Sequence, residues 1–238
     1  MENYISTNAR PYEIVSESAY AKLMRNVYLW MALALVVTGM SAYYVAHSPA
    51  IQQVIFSNQI VFWGLIIGEL ALVFALNVMI NRISFTTAGL MFVGYSLMNG
   101  VLLSSIFVVY TDESIASVFL ITAGTFGAMA VVGSFIKKDL SAEGRIFIMT
   151  LIGIIIATVV NMFLRSDGLT MILNYLGVFV FVGLTAYDAQ KIKMMLQAHG
   201  TSVNESTMKI ALLGSLSLYL DFINLFLYLL RIFGARRD

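Results

Sequence analysis

The stretch LSLYLDFINLFLYLL (216–230) decides the fold. With its flanks it makes an apolar run over 208–230, long enough to cross a bilayer as a helix, and it carries Asp221 in its interior. Thirty-three residues earlier, FVGLTAYDAQKIK (181–193) is an apolar run that meets Asp188 just before the chain turns basic. One carboxylate stands in each of two neighbouring apolar segments, and that placement calls for an explanation.

Working outward, 60% of the 238 residues are hydrophobic and 11% charged. Soluble domains run at roughly 45–50% and 25%. So few charges do not cover a water-facing surface, and the chain is an all-α integral membrane protein with the lipid bilayer as its main partner. The net charge of +1 and the scattered basic residues speak against nucleic acid as a partner. There are no cysteines, which excludes disulfides and thiolate chemistry. His47 and His199 lie outside the apolar runs, so a buried zinc centre of the membrane-hydrolase kind lacks its ligands. Residues 1–25 read as a polar tail, too long and too acidic (Glu2, Glu13, Glu17) for a secretory leader.

Seven apolar runs can be marked, at about 26–46, 57–81, 84–109, 114–136, 146–164, 169–189 and 208–230. They form a single transmembrane domain over 26–234, followed by a short polar tail, 235–238. Gly64 with Gly68, and Gly124 with Gly127, are small residues within spans, read as helix-packing positions. Ten Lys and Arg fall on the N-terminal side (Arg10, Lys22, Arg25, Arg82, Lys137, Lys138, Arg145, Lys191, Lys193, Lys209). Four fall on the other (Arg165, Arg231, Arg236, Arg237). The imbalance predicts a cytoplasmic N-terminus. Seven spans then put the basic C-terminal tail outside, which is discordant and keeps a six-span or re-entrant variant open.

Within the apolar runs only Glu69, Asp188 and Asp221 carry ionisable carboxylates. Such groups are costly in lipid and face a protein interior or a water-filled path. For Asp188, three residues before Lys191, the competing reading is a helix-end residue that reaches the headgroups. If the two flanking segments pack antiparallel about the break HGTSVNES (199–206), Asp188 and Asp221 differ in height by roughly four residues, about 6 Å. Carboxyls at nearly one level can share a proton and titrate as a pair, in two macroscopic steps. Such a pair is a proton-operated latch: one proton bonds two helices, and its loss makes them repel. Glu69 is a candidate for the same interior. Arg82, thirteen residues on in the same run, stands about 140° around the helix and about 20 Å along it, so the two do not pair. Arg82 marks the cytoplasmic end of its span or reaches a latch carboxylate. Asn224 joins Glu69 and Arg82 as an ion-pathway candidate.

The strings ELALVF (69–74), NGVLLSSIFVVYTDESIASVFLITAGTFGAMAVVGSFIKKDLSAEG (99–144), GLTAYDAQKIK (183–193) and LYLDFINLFLYLLRIFG (218–234) resemble the Bax inhibitor one family, also called the transmembrane Bax inhibitor motif family, in its bacterial branch. The resemblance runs from about residue 20 to the end. It implies a bundle of six helices around a central C-terminal helix in the cell inner membrane. It also implies a pH-sensitive calcium leak, with calcium as the transported ion and no cofactor. The family's paired aspartates fall on Asp188 and Asp221, which are also candidate calcium ligands, and its second-span glutamate falls on Glu69. Met79 stands where a family arginine is expected, with Arg82 about one turn further on.

Other functions are open to these residues. A proton-coupled calcium exchanger can use the same carboxylate pair. An intramembrane aspartyl protease also needs two aspartates sharing a proton. Against it, Leu218, Tyr219 and Leu220 precede Asp221 where a Gly-x-Gly-Asp motif belongs, and Pro11 and Pro49 are the only prolines. The chain is therefore expected not to be an enzyme. A retinal protein needs a lysine deep in its last span, and Lys209 stands at the start of that run. A structural or partner-regulating role is the plainest alternative.

Overall fold

The computed structural model describes residues 9–199 and 202–237, with side chains at 19–198 and 202–237. Residues 1–8 of the expected tail, the side chains of Arg10, Glu13, Glu17 and His199, and Asp238 lie outside that description. The elements are α1 (Ala9–Ala46), α2 (Pro49–Ser57), α3 (Gln59–Met79), α4 (Phe85–Leu103), α5 (Ile106–Val109), α6 (Asp112–Phe135), α7 (Ser141–Leu164), α8 (Asp167–His199) and α9 (Glu205–Phe233). Seven segments are long and apolar enough to cross a bilayer: Ala19–Ala46, Gln59–Met79, Phe85–Val109, Asp112–Phe135, Ser141–Leu164, Asp167–Ala198 and Glu205–Phe233. The protein is an all-α membrane protein.

Side-chain caps set the helix starts, because the first amides of a helix have no partner within it. Asn58 accepts from the Ile60 amide at 3.0 Å, Ser84 from Thr87 at 3.1 Å and Thr111 from Ser114 at 3.3 Å. Asn204 and Thr207 exchange bonds in a capping box at the start of α9. Before α7, Asp139 accepts from both the amide and the hydroxyl of Ser141, and these bonds hold its carboxyl below the ordinary range.

The helices extend past the apolar runs. α1 begins within the expected tail, and α8 continues through KIKMMLQAH to His199. The polar residues there have protein partners. Gln190 accepts from the Leu140 amide and donates to the Lys138 carbonyl, both at 2.8 Å. Lys193 donates to the Ser134 carbonyl at 2.7 Å. These bonds tie the α6–α7 connection to α8, so the helix outlasts its hydrophobicity.

At the opposite end, the C-terminal tail lies antiparallel to the α5–α6 connection. The Thr111 amide donates to Ala235 at 3.1 Å, and the Arg237 amide to Val109 at 2.9 Å. Arg237 also pairs with Asp112 at 2.8 Å. The described chain therefore begins and ends at opposite ends of the bundle, as seven spans require. Arg237, discordant in the sequence, is neutralised where it lies.

α9 is the most buried element: 67% of its apolar stretch is covered, against 6% for α3 and for α7. It packs on α1, α4, α6 and α8, while α3 packs on α4 and α7 on α8. α9 thus packs chiefly against four helices, where the resemblance implies six around it, with α3 and α7 set against α4 and α8. Phe92, Tyr95, Phe119 and Phe126 meet Tyr219, Phe222 and Phe226 of α9 edge to face. Lipid tails supply no hydrophobic drive between helices, so close backbone approach matters more here than in water. A Cβ at Gly133 would run into the backbone of Ala186, and one at Gly100 into the backbone of Thr38. The glycines singled out in the sequence do not do this. Gly64, Gly124 and Gly127 face open space, and Gly68 meets only the tip of Met98. Spacing marks small residues but not which side of the helix faces a neighbour.

Candidate functional site

Asp188 lies eleven residues inside α8, so it is not a helix-end residue. Asp221 lies sixteen residues inside α9 and is 6% exposed. Local packing fixes their relative height. Gly214 of α9 lies against Ile192 of α8, and Gly177 of α8 against Tyr228 of α9. Asp221 is seven residues beyond Gly214 and Asp188 four before Ile192, leaving an offset of three residues, roughly 5 Å. In a helix each Cα–Cβ bond tilts toward the N-terminus. The two helices run antiparallel, so these tilts carry the two carboxyls toward each other.

The packing therefore brings the two carboxyls to nearly one level on facing helices, with Lys191 one turn beyond Asp188 on α8. Lys191 itself sits over the Tyr187 ring, 5.7 Å from its centroid. One oxygen of Asp221, Oδ2, is buried with no hydrogen-bond partner. A buried carboxylate oxygen left bare is expensive. A shared proton answers that cost by turning one carboxyl into a donor for the other. Packing around the pair is close: Gly133 admits α6 against Ala186, two residues before Asp188, while Phe222 meets Phe119 and Phe126 edge to face.

Glu69 is brought into the bundle but to another face of α9. Asn99 of α4 donates to it, and Asn99 in turn accepts from the Tyr219 hydroxyl at 3.1 Å. Tyr219 shares a 2.7 Å bond with Thr38 of α1; with the Tyr219 proton on Asn99, the Thr38 hydroxyl is the donor there, and the Ser96 carbonyl, 3.0 Å away, is its alternative acceptor. Tyr95 lies beside Glu69 as well. Tyr219 and Asp221 are two residues apart, about 200° around the helix, so the Glu69 cluster and the aspartate pair occupy opposing sides of α9.

Two other candidates are not brought in. α3 ends at Met79, and Arg82 is exposed in the turn that follows it, outside the helix assigned to it from the sequence. Its polar neighbours in NRIS favour the turn over further helix. Asn224 donates to the carbonyl of Leu220 in its own helix at 2.8 Å. Asn99, Tyr219 and Thr38 escaped the sequence reading because a lone hydroxyl or amide in an apolar run carries no partner information. Among the described residues no group of three or more His, Cys, Asp or Glu stands ready to hold a metal ion.

Comparison with known proteins follows the same chain almost end to end. The model of the family described as "Inhibitor of apoptosis-promoting Bax1" matches residues 20–238. The inner membrane protein YbhL of Escherichia coli (strain K12) is 50% identical over 214 residues, 90% of this chain and 92% of the relative. An uncharacterized protein of Borreliella burgdorferi is 45% identical over 219 residues, 91% of this chain and 93% of that one. A third, from Deinococcus radiodurans, is 40% identical over 215 residues, 90% of each chain.

Proposed function

The chain belongs to this Bax inhibitor family, and on that premise we propose that it is a pH-sensitive calcium leak channel of the inner membrane, gated by Asp188 and Asp221. The observation that carries the reading is the buried Asp221 Oδ2, which has no hydrogen-bond partner, at nearly the level of Asp188 on the neighbouring helix.

The gate follows from that geometry. With one proton between them the two carboxyls bond α8 to α9. Without it, two like charges at close range in a low dielectric repel and drive the helices apart. Calcium is the cargo. It is a hard cation that takes six to eight oxygens. Two carboxylates offer at most four, so a passing ion keeps water on its remaining positions and is not retained. Acidic groups along the path favour cations over anions. Glu69, hydrogen-bonded on the other side of α9, is a second carboxylate station.

The test is calcium flux into liposomes holding the full chain, recorded against pH for wild type, Asp188→Asn and Asp221→Asn. Flux that varies with pH in wild type and is flat in Asp221→Asn is the expected result. An identical pH response in both proteins would sink the latch. Calcium accumulating against its own gradient when a proton gradient is imposed would make the protein an exchanger, since a leak cannot run uphill.

A further inference from the structure

At the end of the bundle where α9 finishes, α7, α8 and α9 line a partly open cavity of about 160 Å³ whose polar groups include those of Asn161, Thr170, Asn174, Tyr228 and Arg231, among apolar neighbours. Its wall is hydrogen-bonded. The Asn161 side chain accepts from the Ser166 amide at 3.1 Å and donates to the Thr170 hydroxyl at 2.7 Å, and Thr170 donates to the Ser166 carbonyl at 3.0 Å. Those groups are satisfied by one another. Two others are not. Asn174 is only 9% exposed, lines the cavity and has no hydrogen-bond partner among the described residues. Arg231 rests over the Tyr228 ring, 5.3 Å from its centroid, and forms no ion pair among the described residues. Arg237 at the same end is committed to Asp112. An amide that lines a cavity and bonds no protein group is free to meet a ligand, and an unpaired guanidinium presents a fork of donors.

We propose that this cavity binds the phosphodiester headgroup of an anionic phospholipid, with Arg231 on the phosphate and the Asn174 amide on its ester oxygens. The donor set selects the ligand class: no carboxylate lines the cavity, so it suits an anion rather than a metal ion. Depth selects the source. Arg231 is two residues from the end of α9 and Asn161 three from the end of α7. Asn174 is seven residues into α8, so the site spans from roughly 3 to 10 Å below the helix ends. That is the headgroup zone of a bilayer. Met162 on the rim is 71% exposed and gives an acyl chain an apolar surface to run along.

The test uses the full chain in neutral detergent, native mass spectrometry, and three probes: phosphatidylglycerol, phosphatidylcholine and inorganic phosphate. Wild type is expected to retain phosphatidylglycerol over phosphatidylcholine, and millimolar phosphate is expected not to displace it. Arg231→Gln is expected to lower retention roughly tenfold and Asn174→Leu about threefold, in line with losing a charged and a neutral hydrogen bond. Arg236→Gln, outside the cavity, is expected to leave it unchanged. Asn174→Leu keeps volume and removes an unpartnered amide, so it decides the matter if Arg231→Gln does not fold. Equal retention in the two cavity variants and wild type, or no preference over phosphatidylcholine, overturns the site. Displacement by phosphate overturns the lipid assignment. None of these readouts depends on ion flux.

Discussion

The two faces of α9 handle polarity in opposite ways. Toward α1 and α4, Tyr219 is woven into a chain running from Thr38 through Asn99 to Glu69. Toward α8, Asp221 keeps a buried oxygen with no partner and faces another carboxyl. The satisfied face holds helices together. The unsatisfied face stores an electrostatic cost that protonation can relieve. In the proposed gate, α9 would use both, an anchor on one side and a proton-dependent contact on the other.

The strongest way to break this arrangement is to push α6 away from α8. Gly133→Val places side-chain atoms where the Ala186 backbone stands, and overpacking against backbone is expected to cost about 3 kcal/mol. Reversible unfolding in mixed micelles reads it, and a cost near zero would show that the helices are not held so closely. Tyr219→Phe comes next. It strips the hydroxyl that Thr38 and Asn99 share, and about 1–2 kcal/mol of stability is expected to go with it. Asp221→Asn sharpens the contrast: it removes charge but no existing hydrogen bond, so stability is expected to change by less than about 1 kcal/mol while the pH response of flux disappears. If Asp221→Asn destabilises more than Tyr219→Phe, the anchor and the switch have been assigned to the wrong faces.

The smallest effect lies at the water-exposed loop. Hydrogen bonds from Ser141 lower the folded-state value of Asp139 below the ordinary 3.8. A lowered value gives stability that is present above the unfolded carboxyl's range and is lost as pH falls through the folded one. The melting difference between wild type and Asp139→Ala is therefore expected near neutrality and to fade as pH falls below the unfolded carboxyl's range. A difference that persists in acid would assign it to shape rather than charge.

Much of the fold was legible in the chain because lipid imposes a simple rule on length and polarity. Seven apolar runs became seven crossing segments with ends shifted by a few residues, and by about ten at the end of α8. That shift came from Gln190 and Lys193 finding carbonyls on a distant connection, which hydropathy does not record. Asp188 and Asp221 stood out because carboxylates are rare in apolar runs. Arg82 had two readings because a basic residue near the end of a run looks alike in the last turn of a helix and in the turn beyond it, and the structure places it in the turn.

The sequence by itself determined that the protein lives in a membrane, has seven runs long enough to cross it and carries three carboxylates within those runs. Composition and run length suffice for that, since every spanning backbone must satisfy its own hydrogen bonds. The tertiary structure decided how the carboxylates are placed. The near-equal level of Asp188 and Asp221, and the separation of both from Glu69, depend on how α8 and α9 are offset and rotated. Those quantities are set by contacts such as Gly214 on Ile192 and Gly177 on Tyr228, between residues far apart in the chain.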